Sequence, residues 1–233
     1  MSLTYTVEKV GTNDLLRISL PNNLQVYVRG WTTDIDILHE IFLGEVYDKG
    51  YYPQPGDVIF DVGAHIGLFT IKTASLIGTD GAIYAFEPVK NNFDLLEKNI
   101  ALNNFTNVKP FLTALGDKLE TKLLCLSKTN TGMHTLMKTK GEKILVPVIT
   151  LDKIIEKLSI EKINLLKLDV EGYELRVLQG GKNFLKVCQN LVIETHEQVG
   201  GPSNSSIVKF LKLFGFKTKI AHYKYNDIIY GGG

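Results

Sequence analysis

Through residues 3–30 apolar and polar positions alternate in the short runs "LTYTVEKV", "LLRISL" and "LQVYVR", separated by "GTND" and "PNN". A period of two broken by turn residues predicts a β-meander. The stretch "TTDIDILHEIFLGEVYD" changes to helical spacing, with Thr33 or Asp34 as N-cap. After "PQPGD" the texture changes again. Five apolar runs, "VIFDV", "AIYAFEP", "VKPFLTAL", "INLLKLDV" and "NLVIETH", alternate with amphipathic stretches. These stretches are "GLFTIKTASLIG", "NNFDLLEKNIALNN", "TLDKIIEKL", "ELRVLQGGKNFL" and "SSIVKFLKLFG". Such alternation predicts an α/β fold, a mostly parallel sheet with helices on both faces. The closing runs "FKTKIAHY" and "DIIYGGG" predict an antiparallel pair completing that sheet. Residues 117–150 break the rhythm with two strand-like runs around a polar middle, which predicts an inserted hairpin or flap over the functional edge. Residues 1–50 are thus expected to pack, as meander and helix, on a core built by 51–233, the whole forming one structural unit.

The totals narrow the class. A chain of 233 residues with 44% hydrophobic and 22% charged side chains can bury a core of ordinary soluble type. A net charge of +1 gives no footprint for nucleic acid. No apolar run reaches the roughly 20 residues that cross a bilayer. The opening "MSLTYTVEKV" lacks the apolar core of a signal peptide, so a cytoplasmic protein is expected. Cys125 and Cys188 fit neither a disulfide framework nor a paired-cysteine metal site. A homo-oligomer is compatible with the sequence, although no pattern demands one.

The chemistry begins at "VIFDVGAHIGLFT". Gly63 and Gly67 flank a tight strand-to-helix turn, where glycine permits positive φ and lets a ligand approach the backbone. Glu87 ends the next strand, twenty positions after Gly67, where a doubly wound fold sets a carboxylate on ribose hydroxyls. A dinucleotide would place its pyrophosphate at this helix start, and Asp61 would repel it. S-adenosylmethionine carries an ammonium and a sulfonium in place of phosphates, so Asp61 favours the methyl donor. A turn-capping role for Asp61 uses the same geometry.

The motifs "FDVGAHIGLFT", "YAFEPVKNNFDLLEKNI", "VITLDKII" and "LLKLDVEGYELRVLQG", with "LVIETHE" and "RGWTTDIDILHEIF", resemble the FkbM family of S-adenosylmethionine-dependent methyltransferases. The resemblance spans residues 29–196 and is most specific in "KLDVEGYE". It implies a Rossmann-like class I methyltransferase fold with a seven-stranded sheet, and O-methylation of a sugar, polyketide or other small metabolite. Carried over, Asp61, Gly63, Ala64, His65 and Gly67 line the methionine end. Glu87 meets the ribose, Pro88 also belongs to the cofactor site, and Asn92 or the turn of Ala114 and Leu115 lies near the adenine. Asp34 helps close the cofactor site. The family usually has Asn where His65 stands. An imidazole still offers one hydrogen bond to the methionine carboxylate, with a charge that depends on pH.

"KLDVEGYE" and "VIETHE" bring Lys167, Asp169, Glu171, Glu174, Glu194, His196 and Glu197 to the ends of two strands. If those strands are neighbours, acids and an imidazole share one mouth. Methyl transfer is an in-line displacement in which the protein aligns the partners and takes the acceptor's proton. His196 and Glu171 are the candidates for that base, each with a structural alternative as a paired imidazole or a helix cap. Asp169 is placed nearer the cofactor's charge. His134, Tyr173 and Glu194 are assigned to the acceptor, with Trp31 and Tyr47 as further pocket aromatics. The same side chains could hold a hard divalent cation; the reading adopted needs none. Two rival functions stay open at this point: a methyltransferase acting on nucleic acid or nitrogen, and a Rossmann-like protein that binds without turnover.

Overall fold

The computed structural model describes residues 5–11, 14–44, 46–127, 134–137, 142–223 and 226–233. The strands β1 (Thr6–Val10), β2 (Leu15–Ser19) and β3 (Gln25–Arg29) form the expected antiparallel meander, and α1 (Asp34–Leu43) follows it. Thr33 occupies the N-cap position of α1 without a side-chain cap bond, and Asp34 is wholly buried.

Then come β4 (Val58–Val62), α2 (Leu68–Ile77), β5 (Ala82–Phe86), α3 (Lys90–Leu102) and β6 (Val108–Phe111). The run "VKPFLTAL" is two strands, because β7 (Ala114–Leu115) leaves the large sheet. It pairs in parallel with β9 (Lys143–Ile149), which is antiparallel to β8 (Glu120–Cys125). The insertion is therefore a hairpin annexing a strand of the core. Leu124, Val146 and Val148 bury its inner face, so its base is not a free flap. Its tip at 128–133 and 138–141 lies outside the described residues. The rest of the chain is α4 (Leu151–Leu158), β10 (Ile163–Leu168), α5 (Glu174–Gln179), α6 (Phe184–Val187), β11 (Cys188–Thr195), α7 (Asn204–Lys212), β12 (Lys217–His222) and β13 (Asp227–Gly232).

The large sheet has seven strands in the order β12-β13-β11-β10-β4-β5-β6. Only β13 runs against its neighbours. Strand side chains alternate between faces, and the two cores divide accordingly. Phe60, Phe86, Leu166, Leu168 and Ile193 join one cluster with α4 to α7. Ile59, Ile83, Ala85, Leu165 and Val192 join the other with α1, α2, α3 and the meander. Burial on both faces is why these strands read as nearly continuous apolar runs.

The meander is tied to α3 by two amide side chains. Asn99 accepts from Tyr27 N at 2.6 Å and donates to Tyr27 O at 3.1 Å, and Asn103 makes the same pair of bonds to Gln25 at 2.9 and 2.6 Å. Among the described residues no helix is long and apolar enough to cross a membrane.

Candidate active site

At the carboxyl ends of the parallel strands lies a cavity of about 830 Å³, within the range of small-molecule sites. The turn after β4 forms its floor. Gly63 has φ 80°, and a Cβ there would lie 1.8 Å from Asp169 O, so glycine is required by the approach of the loop after β10. Gly67, at φ 88°, faces Leu96 at 2.5 Å in the same sense and does not line the cavity. Gly63 N and Ala64 N both donate to Phe86 O at 3.0 Å. These amides are thus engaged within the protein and form no phosphate cradle.

Asp61 corrects the reading that set it against the ligand. It is fully buried and absent from the cavity wall. Its strand position pairs with Lys167 across β4 and β10, and Lys167 Nζ stands 3.3 Å from Asp61 Oδ1, a charge contact without hydrogen-bond alignment. Thr70 Oγ1 donates to the other oxygen. Asp61 therefore neutralises a lysine beneath the site. Lys167 Nζ also donates to Gly63 O at 2.8 Å and lies 3.6 Å from Asp169 Oδ2. Burial alone would lower the ammonium's pKa; Asp61 and Asp169 more than reverse this and hold it above its ordinary value.

Glu87 does line the cavity. Its Oε2 accepts from His65 N and its Oε1 from Val89 N, both at 2.9 Å, which fixes the carboxyl at the end of β5. Burial raises its pKa to about 7 against the effect of those bonds. Pro88, Asn92, Ala114 and Leu115 join Glu87 along the wall.

His65 has φ 53°, a left-handed conformation that Asn and His tolerate better than most side chains. Arg29, which the sequence reading missed, explains its surroundings. The Arg29 guanidinium meets Asp34 through Nε at 2.8 Å and Nη2 at 3.0 Å, and Asn92 Oδ1 through Nη1 at 2.9 Å. Its Nη2 also donates to His65 Nε2 at 3.0 Å. Asp34 is thereby placed behind the cavity wall as the partner of Arg29. Because Arg29 only donates, His65 Nε2 accepts and Nδ1 carries the hydrogen. Nδ1 is buried and has no partner among the described residues. Burial, despite Asp34, lowers the ring's pKa to about 4, so it is neutral at physiological pH.

The second half of the cavity gathers the acids expected there, since β10 and β11 are neighbours. His196 Nδ1 lies 2.7 Å from Glu174 Oε1, a fully buried carboxyl that also accepts from Gly172 N. Its Nε2 faces Glu171 at 3.5 Å, Asp169 at 3.6 Å and Glu194 at 3.7 Å. Burial opposes the charged ring, but the Glu174 bond and the surrounding carboxylates raise its pKa to about 10. His196 is therefore an imidazolium at neutral pH, which makes it a poor proton acceptor and corrects its assignment as base. Glu171, at φ 52°, is raised to about 8 by burial against the pull of His196. Glu194 is raised to about 7 by burial and Asp169, while Tyr47 Oη and Asn226 Nδ2 donate to its two oxygens. Asp169, Glu171 and His196 present ligand atoms all within 4.8 Å of one another, a set that a divalent cation could also engage.

Of the acceptor candidates, His134, Tyr47 and Glu194 line the cavity. Tyr173 does not: it is buried under the inserted hairpin, where Lys122 Nζ donates to its hydroxyl at 2.6 Å. Trp31 is 94% exposed and away from the cavity wall. Asp36 and Glu40, four residues apart on α1, line the cavity as well. Their spacing puts them on one helix face, a signal visible in "TTDIDILHE" but not used.

A seven-stranded sheet with one reversed strand, carrying its cavity at the carboxyl ends, is the class I methyltransferase fold. It resembles a crystal structure of methyltransferase FkbM from Methylobacillus flagellatus with a TM-score of 0.60 at 13% identity, over 83% of this chain and 47% of that one. The chain thus spans just under half of that protein. The methyltransferase FkbM domain profile matches residues 61–218. The 31-O-demethyl-FK506 methyltransferase FkbM of Streptomyces tacrolimicus is 30% identical over 77% of this chain and 80% of its own length. The hexuronic acid methyltransferase AglP of Haloferax volcanii is 28% identical over 72% and 67%. The chain belongs to the FkbM methyltransferase family.

Proposed function

We propose that the protein transfers a methyl group from S-adenosylmethionine to a hydroxyl of a small molecule. The observation that carries the reading is Glu87, a carboxyl locked by two backbone amides at the end of the second core strand and facing the cavity. Its remaining lone pairs suit the two hydroxyls of a ribose. At the adjoining turn, the Nδ1–H of His65, without a partner among the described residues, suits a carboxylate, and Asn92, Ala114 and Leu115 bound the space for a base. The residues present therefore fit S-adenosylmethionine, whose sulfonium supplies an electrophilic methyl when bound. They do not fit a dinucleotide, because the amides of the glycine turn are engaged with Phe86.

The chain's own part is alignment and proton transfer. Asp169 and Glu194 offer negative charge beside the site of a cationic donor. Glu171, ionised as pH rises through about 8, accepts the proton of the acceptor hydroxyl, while Glu174 holds His196 in place as the counter-charge of the carboxylate cluster. Oxygen is supported as the target by a base whose pKa lies near working pH. A small acceptor is supported by a mouth lined with acids, which disfavours a phosphate backbone. It equally disfavours an anionic sugar such as the hexuronic acid named for the Haloferax relative.

Calorimetric titration with S-adenosylmethionine and separately with NAD tests the cofactor. The expected result is binding of the methyl donor alone, weakened at least tenfold in Glu87→Ala and retained in His65→Asn. Binding of NAD, or an unchanged affinity in Glu87→Ala, would remove the basis of the reading. Asp61→Ala is the wrong probe, because it strands a buried lysine and reports on stability.

A further inference from the structure

The outer strand of a β-sheet presents free amides and carbonyls, and proteins guard it with lysine, proline, shortness or a covering side chain. Five of the six outer strands described here are guarded in one of those ways. β1 carries Glu8 and Lys9, β6 carries Lys109 and Pro110, β12 carries Lys217 and Lys219, and β7 is two residues long. On β3, Gln25 and Tyr27 are bonded by Asn103 and Asn99. The sixth, β8 of the small sheet, is built differently. Cys125 exchanges both backbone bonds with Thr135, whereas Leu126 N donates toward Glu142 O beside β9. Because a ladder alternates, Thr121 and Leu123 turn their amides and carbonyls the same way as Cys125, away from β9. These groups have no backbone partner among the described residues. The exposed face of β8 carries Thr121 and Leu123 and no charge. Leu123 is 50% exposed, Leu145 opposite it on β9 is 70%, and Leu119 just before the strand is 63%.

We propose that β8 is the interface through which two copies of this chain pair, antiparallel, about a two-fold axis through Thr121. The segment "LETKL" at 119–123 is complementary to itself in that register. Thr121 exchanges both backbone bonds with its own image, and Leu119 does so with Leu123 of the second copy, as the parity of the open groups requires. Glu120 stands opposite Lys122 of the second copy, twice by symmetry, and opposite charges across a strand pair stabilise it. On the other face the leucines at 119 and 123 of both copies join one apolar row beside Leu145. The inner face of β8 overlooks a groove of about 710 Å³, lined by Lys118, Glu120, Lys122 and Arg176, which leaves room for the added side chains. Neighbouring registers fail. Centring the axis on Glu120 or on Lys122 opposes like charges, and centring it on Leu123 calls on Cys125, which Thr135 already occupies. Each copy spends this edge in the contact, so assembly closes at two. The pairing does not depend on the reaction assigned above.

The test is the mass of the full chain in solution, by sedimentation equilibrium from about 1 to about 200 μM. It is expected to rise from the 26.0 kDa of one chain toward twice that value and no further. Thr121→Pro removes the central donor, an amide that β9 does not use, and proline is tolerated at such an edge position. This variant is expected to fold as the parent does and to pair about tenfold more weakly. Leu123→Lys, which places a charge on the open face, is expected to do the same. Charge exchange reads the register. Glu120→Lys and Lys122→Glu each set like charges opposite one another and are expected to stay single when alone. Mixed in equal amounts, the two restore attraction at both contacts and are expected to pair again. Urea midpoints identify any variant that fails to fold, and the remaining variants then decide. A single-chain mass throughout, a mass beyond two chains, a dimer indifferent to Thr121→Pro and Leu123→Lys, or folded charge variants that do not pair on mixing would each overturn the proposal.

Discussion

Two charged clusters flank the cavity, and they are built on opposite principles. Around Arg29 the charges balance: one guanidinium spends its donors on Asp34, Asn92 and the neutral ring of His65. Around His196 they do not, since one imidazolium faces Asp169, Glu171, Glu174 and Glu194, with Lys167 beside Asp169. The first arrangement is complete without a ligand and shapes a wall. The second is relieved by protons held on Glu171 and Glu194, and gives them up as pH rises. An acid removed from the one should therefore cost stability, and an acid removed from the other should cost function.

The largest effect is expected at the balanced cluster. Asp34→Ala leaves the Arg29 guanidinium without its carboxylate in a mostly buried setting, and should lower folding stability by about 3 kcal/mol. Urea denaturation measures this, and a loss under 1 kcal/mol would mean that Asn92 and His65 suffice as partners. At the unbalanced cluster, Glu171→Gln should leave the denaturation midpoint unchanged or slightly raised. Methyl transfer should fall about a hundredfold, the usual range for a lost general base. A variant as active as the parent would leave the reaction without the base assigned to it.

Acidity sharpens the same contrast. Glu87 and Glu194, held near 7, Glu171 near 8 and His196 near 10 all bind protons more tightly folded than unfolded. Each such group contributes stability that is full below its unfolded value, 4.5 for the acids and 6.5 for the imidazole, and is lost as pH rises through its folded value. His65 acts in the opposite sense, losing its contribution as pH falls from 6.5 through about 4. Above pH 6.5 nothing in this set opposes the loss. The Tm of the ligand-free protein should fall steadily from pH 6.5 to 10, and a flat profile would show that the cluster is already compensated. The smallest effect lies outside both clusters: Asn103→Ala should cost about 1 kcal/mol through its lost bonds to Gln25.

Much of this is legible in the amino-acid sequence. The parallel strands announced themselves as apolar runs because both of their faces are buried, and Glu87 and the acids after β10 and β11 followed from strand-end position. The partners were not legible. Lys167 faces Asp61 only because β4 and β10 are adjacent and in register, so Asp61 read as a ligand-facing acid. Arg29 and Asp34 stand five residues apart across a strand end and a helix start, a geometry that neither period predicts. Tyr173 and Trp31 were read from their chemistry alone; burial under the hairpin took one from the site and full exposure took the other.

Asn99 and Asn103 have one more consequence. β3 is an outer strand of its small sheet, and the outer strand of a sheet normally presents unpaired amides and carbonyls that invite a neighbouring chain to add itself. Here two side-chain amides from α3 bond both groups of Gln25 and of Tyr27. The helix thus acts as a surrogate strand, and on that side the meander is closed to self-association without any residue being set aside solely to prevent it.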